Sequence, residues 1–464
     1  MNPIMIAQTP LVLGFMALLI VASLRPAPRA LVSTILCVAS LVASAYLLQF
    51  HVPVGATYFG GAYVITAMGR SVGVLCLYLV AGAVLLTNGY LEKVRAQQAD
   101  WKLVAMASAL GMVSLSLAGD LATVFIAFEM VSIPSYVLAG FSQRDPRSNE
   151  AGIKYLLLGA VASAVFLLGL SFLYGATGEI HLQAIAGKLA SADAGQLKLA
   201  QIALALVLSA LFFKTAVAPF HFWLADVYQG SSLAALTIIA SPVKLAVFGL
   251  LFALLNGPFA ALAPLWKPAL LLCAAASVVL GNIQAISQTQ IKRLFAYSGV
   301  VNGAFILLTI TANSPSSFLM YLTTYGVMTT GLWAALMAVG TAHADADELT
   351  DLAGLSAKHP VAALGLTILL LSYAGVPPTA GFFAKFAAAS ELLRNGAALP
   401  SWYLGVLGAA FVTTLVSFYY YFQMLRQIWF SPAGQQEPQR QLLWNHRAVF
   451  AASAVLLLVL GFVL

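Results

Sequence analysis

The chain has 464 residues, of which 61% are hydrophobic and only 8% charged, against about a quarter charged in soluble domains. This excludes an ordinary water-soluble globule and points to a polytopic membrane protein built as one bundle. The net charge of +7 comes from Lys and Arg scattered among short loops, so it reports topology rather than a nucleic-acid surface.

Fourteen apolar segments are predicted as membrane helices, starting near residues 4, 30, 71, 103, 121, 151, 200, 233, 268, 291, 316, 361, 402 and 448. Each is long enough to span, at roughly 20 residues per crossing. The short alternating segments of a membrane β-barrel are not seen. The expected fold class is therefore all-α, a polytopic bundle of about 14 transmembrane helices. The first segment lacks a basic n-region and an A-x-A site, so it reads as a span, not a cleaved signal. Cys37, Cys76 and Cys273 stand alone in apolar stretches and read as small core residues.

The basic residues orient these segments. Loops after odd-numbered segments hold Arg25, Arg29, Lys93, Arg95, Lys102, Arg144, Arg147, Lys292, Arg293, Lys358, Arg426, Arg440 and Arg447. Loops after even-numbered ones hold Arg70, Lys188, Lys198, Lys267 and Arg394. That bias puts the odd loops in the cytoplasm or its equivalent, with both termini on the opposite side.

Two segments carry breakers at their centres. In LALVLSALFFKTAVAPFHFWLADVYQG, Pro219 removes a backbone donor; in ALGLTILLLSYAGVPPTAGFFAKFAAA, Gly375, Pro377, Pro378 and Gly381 do the same more forcibly. Unwound backbone at membrane depth survives only against protein or a water-filled cavity. The two segments are the seventh and twelfth, and each has a lysine beside its break. Paired interruptions of this kind point to two inverted five-helix repeats around an ion pathway. The alternative is a pair of ordinary Pro kinks. The repeat reading divides the chain into residues 1–102 (segments one to three), 103–256 (first repeat, segments four to eight), 257–430 (second repeat, segments nine to thirteen) and 431–464 (segment fourteen).

Four ionisable side chains lie inside oily sequence: Glu129, Lys214, Lys244 and Lys385. A charge at the bilayer centre costs about 2.5–3.5 kcal/mol on insertion scales. Four of them suggest charge movement through the membrane. Glu129 is expected to pair with Lys214, although either could instead be a hydrogen-bonded or snorkelling structural residue. Lys244, near the middle of its segment, is hardest to explain as snorkelling. Lys385 follows the second break, where water could reach it. His221 is either a proton relay or a helix contact; Lys154 and Asp226 are weaker candidates near segment ends. His343 with Asp345, Asp347, Glu348 and Asp351 reads as a solvated acidic loop. There is no P-loop, no GxGxxG after a strand, no iron–sulfur cysteine cluster and no nucleophile triad.

These stretches resemble a known family. DLATVFIAFEMVSIPSYVLAGF, EAGIKYLLLGAVASAVFLLGLSFLYGATG, FKTAVAPFHFWLADVYQG, GNIQAISQTQIKRLFAYSGVVNGAFILL and DLAGLSAKHPVAALGLTILLLSYAGVPPTAGFFAKF are similar to the antiporter-like subunits of proton-pumping NADH:quinone oxidoreductase, respiratory complex I. The match spans about residues 120–390, and the lysine in GFFAKF favours the subunit N branch. The resemblance implies that Glu129 and Lys214 are the family's ion pair, Lys244 its central lysine and Lys385 the lysine of the broken twelfth helix. It also implies that His221 and Lys154 are secondary relay positions. Opening or closing the pair would then drive a proton through Lys244 to Lys385, coupled to quinone reduction elsewhere. It further implies a translocase subunit that binds no cofactor itself, with FMN, iron–sulfur clusters and quinone in other subunits. The expected partners are the other membrane-arm subunits and the bilayer, here the bacterial cytoplasmic (inner) membrane, with periplasmic termini. Two departures stand out: Asn302 replaces a histidine of the family motif, and Gln229 replaces a common acidic residue. The rival readings are a subunit of an Mrp-type cation/proton antiporter, a hydrogenase-linked complex, or a non-pumping spacer.

Overall fold

The computed structural model describes residues 2–23, 30–93, 97–142, 144–339, 345–396, 399–432 and 444–463. Arg25, Arg29, Arg95, His343 and Arg440 lie outside the described residues, as do the side chains of Lys93 and Arg447. Eleven helices among those described are long and apolar enough to cross a membrane. Gln98–Ser116, the broken pair Pro360–Ala374 and Ala380–Arg394, and Trp444–Val463 supply the other three of the fourteen expected segments. A two-residue antiparallel hairpin, Thr57–Tyr58 with Tyr63–Val64, sits between the second and third spans.

The helices start where the sequence provides caps. Asp120 accepts from the Thr123 N–H at 2.7 Å and opens Leu121–Ala139. Asp193 and Gln196 form a reciprocal capping box that opens Ala194–Thr215. Pro146 stands at the first turn of Pro146–Thr177, and left-handed Gly178 closes it.

The spans are not equally buried. In Leu233–Asn256, Ile291–Thr311 and Pro315–Val339, 94% of the apolar window is enclosed, against 28% in Pro3–Ser23 and Tyr403–Phe430. The eighth, tenth and eleventh spans are therefore the axis of the bundle, and the first and thirteenth turn their large apolar side chains outward. An apolar exterior is what lipid contact requires.

Both expected breaks are present, and they share a hydrogen-bond pattern. At Ala216 (φ 58°) the chain turns left-handed; its N–H donates to Phe212 O and Phe213 O, and the Val217 N–H to Phe212 O. At Gly375 (φ 79°) the N–H donates to Leu371 O and Ser372 O, and the Val376 N–H to Leu371 O. This is a Schellman-type ending in both places. An X-Pro peptide in the cis form follows each, Ala218–Pro219 and Pro377–Pro378.

A third break is absent from the sequence reading. The eighth span stops at Ile239 and resumes at Pro242, with Ser241 (φ −119°, ψ −94°) between the halves. Lys244 thus lies in the first turn of a half-helix, not mid-helix. Pro242 was the local signal, because it fits a first turn and not a helix interior.

Two lysines counted as loop charges are in fact buried. Lys102 is fully enclosed and donates to Ser33 Oγ, Thr34 Oγ1, Asn88 Oδ1 and Gln98 Oε1 at 2.7–3.4 Å. Lys292 donates to Ser231 O at 3.2 Å and pairs with Asp347 at 3.3 Å. Both sit at helix starts, where neighbouring polar segments fold back over the ammonium. Composition does not reveal that return.

Candidate functional site

Lys214, Lys244 and Lys385 are all buried, and each ammonium is held differently. Lys214 lies in the last turn of Ala194–Thr215, beside the first break. Its Nζ donates to Ser135 Oγ at 3.2 Å and lies over the rings of Tyr136 (4.4 Å) and Tyr155 (4.8 Å). Tyr155 is held in turn by stacking on Trp223 at 4.4 Å. Cation–π contact with two desolvated rings and the negative end of a helix both favour a charge here.

Glu129 stands on the same helix as Ser135 and Tyr136 and is the charged neighbour whose field reaches Lys214. The expected ion pair is nevertheless not closed, because among the described residues no contact within 4.0 Å joins the two. The reason is axial: Ser135 is six positions beyond Glu129, about 9 Å along the helix at 1.5 Å per residue. The lysine has gone to the hydroxyl and the tyrosines. Glu129 Oε1 is left buried with no hydrogen-bond partner among the described residues.

Lys244 is the least supported of the three. Among the described residues its Nζ has no hydrogen-bond partner, and the Tyr228 ring lies 5.6 Å away. It occupies a half-helix N-terminus, where the backbone dipole disfavours a cation. A Cβ placed on Gly299 would lie 3.4 Å from this ammonium and 3.3 Å from the Tyr325 hydroxyl, so the tenth span passes directly against both.

Lys385 lies in the half-helix after the second break. Its Nζ donates at 2.7 Å to the Tyr373 carbonyl, one of the acceptors released where Pro360–Ala374 ends, and lies 5.4 Å from the Phe305 ring.

The two secondary candidates separate. His221, just past the first break, contacts Gln284 Oε1 through Nε2 at 2.9 Å, tying the seventh span to the ninth; its Nδ1 is buried without a partner among the described residues. Lys154 is not buried with the other three lysines. It is half-exposed and pairs with Glu150 (2.6 Å) and Asp226 (3.4 Å). Asp226 also binds Arg293 at 2.9 Å, and the same guanidinium donates to Gln229. Burial pushes the Asp226 carboxyl up, but hydrogen bonds from Arg293 and Lys154 outweigh it and hold the group below its ordinary value.

Sequence reasoning missed the tyrosines. Tyr136, Tyr155, Tyr228, Tyr325 and Tyr373 are buried alongside the lysines, and Tyr373 donates to Thr329 Oγ1 at 2.9 Å. The one sequence signal was a tyrosine inside several of the charged or broken spans, as in SIPSYVLAG and LLLSYAGVPP.

This arrangement can be set beside known proteins. Residues 118–415 match the family model described as NADH:quinone oxidoreductase/Mrp antiporter, TM. The chain is 38% identical over 378 residues to the NAD(P)H-quinone oxidoreductase subunit 2 of Rippkaea orientalis, covering 79% of this chain and 71% of that protein. It is 34% identical over 403 residues to the NADH-quinone oxidoreductase subunit N 1 of Acidiphilium cryptum, covering 86% and 83%. Among solved structures, a chain of respiratory complex I from Thermus thermophilus is similar at a TM-score of 0.83 and 32% identity, covering 98% of this chain and 97% of that one. A chain of the Mrp complex from Dietzia sp. reaches 0.84 at 18% identity, covering 99% and 94%, which is a likeness of fold. With its bundle, its broken helices and its sequence all in agreement, this chain belongs to the NADH:quinone oxidoreductase/Mrp antiporter family of membrane proteins.

Proposed function

We propose that this chain is a proton-translocating, antiporter-like subunit of the membrane arm of an NADH:quinone oxidoreductase, of the subunit N type. The observation that carries this reading is that three buried lysines each lie beside a helix break, in a fold that matches a complex I chain along almost its whole length. Its partners are the neighbouring membrane-arm subunits, and redox cofactors (FMN, iron–sulfur clusters, quinone) belong to other subunits. The chain resides in a bacterial inner membrane with its termini on the periplasmic side, as the loop charges favour.

In this reading Glu129 and Lys214 form the control element. The ammonium moves between the Ser135–Tyr136–Tyr155 box and the carboxylate, and its proton affinity changes with that choice. A proton given up there passes to Lys244, which among the described residues has no hydrogen-bond partner, and then to Lys385. His221 acts beside the first break through Gln284, and Lys154 belongs to the surface cluster with Asp226 and Arg293. The matching hydrogen-bond patterns of the two breaks support two inverted five-helix repeats over residues 103–256 and 257–430, with residues 1–102 and 431–464 flanking them.

The test is proton pumping by the assembled complex in proteoliposomes with Lys244→Ala, measured against NADH oxidation in the same sample. Loss of pumping in an assembled complex supports the relay; wild-type pumping returns the chain to a spacer role. Cation/proton antiport is the second reading, since the Dietzia Mrp chain shares the fold. The higher identity to quinone oxidoreductase subunits favours the first.

A further inference from the structure

The eighth span begins as a short rod. Its first half, Leu233–Ile239, has seven residues, and every one is buried. A helix of that length, about 10 Å, does not hold itself. Its apolar faces secure burial but let it slide along the bundle axis, so polar contacts at its two ends fix where it stands. Lys244 follows just past the far end, across the break at Ser241.

At the near end two side chains hold the turn. The Leu233 N–H donates to the Tyr90 hydroxyl at 3.1 Å, and that hydroxyl donates to Asp345 Oδ2 at 2.6 Å. Buried Lys292 donates to Ser231 O and pairs with Asp347. Both carboxylates belong to the acidic segment ahead of the twelfth span. That segment is knitted to the start of the tenth, where the Ile291 N–H donates to Asp347 O at 2.8 Å and the Leu349 N–H to Thr289 O at 3.0 Å. At the far end Ser241 Oγ donates to Gly326 O at 3.3 Å, and Thr330 Oγ1 donates to Ser241 Oγ at 3.4 Å. Cys76 Sγ, buried in the third span, reaches Pro242 O at 3.6 Å. The far mounts are enclosed, whereas Asp347 at the near end is half-exposed.

We propose that Asp345 and Asp347 form a two-point latch on the half-helix Leu233–Ile239, acting through Tyr90 and Lys292, and that this latch sets where Lys244 stands. This rests on the translocation reading above. Tyr90 and Lys292 are positioning residues, since neither touches the Lys244 ammonium. Tyr90, Ser231, Lys292 and both aspartates follow odd-numbered spans, on the face that the loop charges assign to the cytoplasm. The segment ahead of the twelfth span thereby governs the central lysine from that face. Opening either point leaves the Leu233 N–H or the Ser231 carbonyl unpaired in the interior, and the turn shifts to find a new partner. The rod moves with it, and the break at its far end opens.

The experiment uses the assembled complex in proteoliposomes and reads two things: protons moved per NADH oxidised, and labelling of Cys76 by N-ethylmaleimide, followed by peptide mass spectrometry. Cys76 reports on the break through its contact with Pro242, and Cys37, buried in the second span, is the internal control for general loosening. Tyr90→Phe deletes the hydroxyl at one point of the latch. Cys76 labelling is expected to rise at least about fivefold against Cys37, the weight of one lost hydrogen bond, and the proton ratio to fall. Asp347→Asn, at a half-exposed position, is expected to act in the same direction more weakly, and it carries the test if Tyr90→Phe does not assemble. Wild-type labelling in both variants overturns the latch, as does a rise shared equally by Cys37 and Cys76. Selective exposure of Cys76 with a wild-type proton ratio also overturns it, because the rod would then not govern Lys244. Wild-type pumping by Lys244→Ala instead overturns the translocation reading beneath it.

Discussion

Lys385 donates to the backbone carbonyl of Tyr373 at 2.7 Å, so the lysine of one half-helix caps the end of the other. One interaction thereby serves two purposes: it satisfies an acceptor freed by the break, and it holds the ammonium at the break without a carboxylate. A helix end inside a bundle has orphan carbonyls that need donors. Any charge state of Lys385 that weakens this bond must also loosen the junction.

Lys385→Met is expected to remove the donor while keeping most of the side-chain volume. The unpaired carbonyl costs about 1–3 kcal/mol, so the complex should lose thermal stability as well as coupled turnover. Thermal denaturation of the purified complex, alongside NADH-driven acidification, separates the two effects. Loss of turnover with unchanged stability would show that the capping bond contributes little.

Gly381 packs against the same junction. A Cβ there would fall 1.8 Å from Ser372 O, a backbone atom that cannot move aside, while Gly187 has nothing within 4 Å. Gly381→Ala is expected to block assembly or depress it severely. Gly187→Ala, inside helix Leu182–Ala190, should be neutral or slightly stabilising, by up to about 1 kcal/mol. Native electrophoresis of membranes from both variants is the check.

The tyrosine box around Lys214 makes its own prediction. Tyr155→Leu keeps an apolar filler but removes one of the two ring faces, each worth about 0.5–2 kcal/mol to a desolvated cation. Coupled turnover should fall several-fold while assembly persists. Tyr155→Phe, which retains the ring and drops only the hydroxyl, should stay near wild type. Equal effects of the two substitutions would point to the hydroxyl and count against the ring.

The surface cluster predicts a pH dependence. The Asp226 carboxyl is held below its ordinary value of 3.8, burial being outweighed by Arg293 and Lys154. A depressed carboxyl stabilises the fold fully above its unfolded value and loses that contribution as pH falls through its folded value. Asp226→Asn should therefore be less stable than wild type by a near-constant margin from neutral pH down to about 4, and the margin should shrink below that. Thermal unfolding across the range reads it. A margin that widens in acid would reverse the sign.

The sequence by itself determined the architecture. Membrane-length apolar segments can satisfy their backbone only as helices, so the fourteen segments, the breaks at Pro219 and Gly375–Pro378, and the lysines inside oily sequence, Lys214, Lys244 and Lys385, were legible from composition and spacing. Those are local properties, set within some twenty residues of chain. The partners of each charge were decided only by the tertiary structure. Lys214 meets Ser135 and two tyrosines where a Glu129 pair was expected, Lys102 is enclosed by polar groups from three segments, and Lys154 remains at the surface. Each outcome depends on how far helices slide along one another, and a shift of a single turn, about 5.4 Å, is enough to exchange one partner for another. Apolar faces tolerate such a shift; hydrogen bonds and ion pairs, with a reach of 3–4 Å, do not.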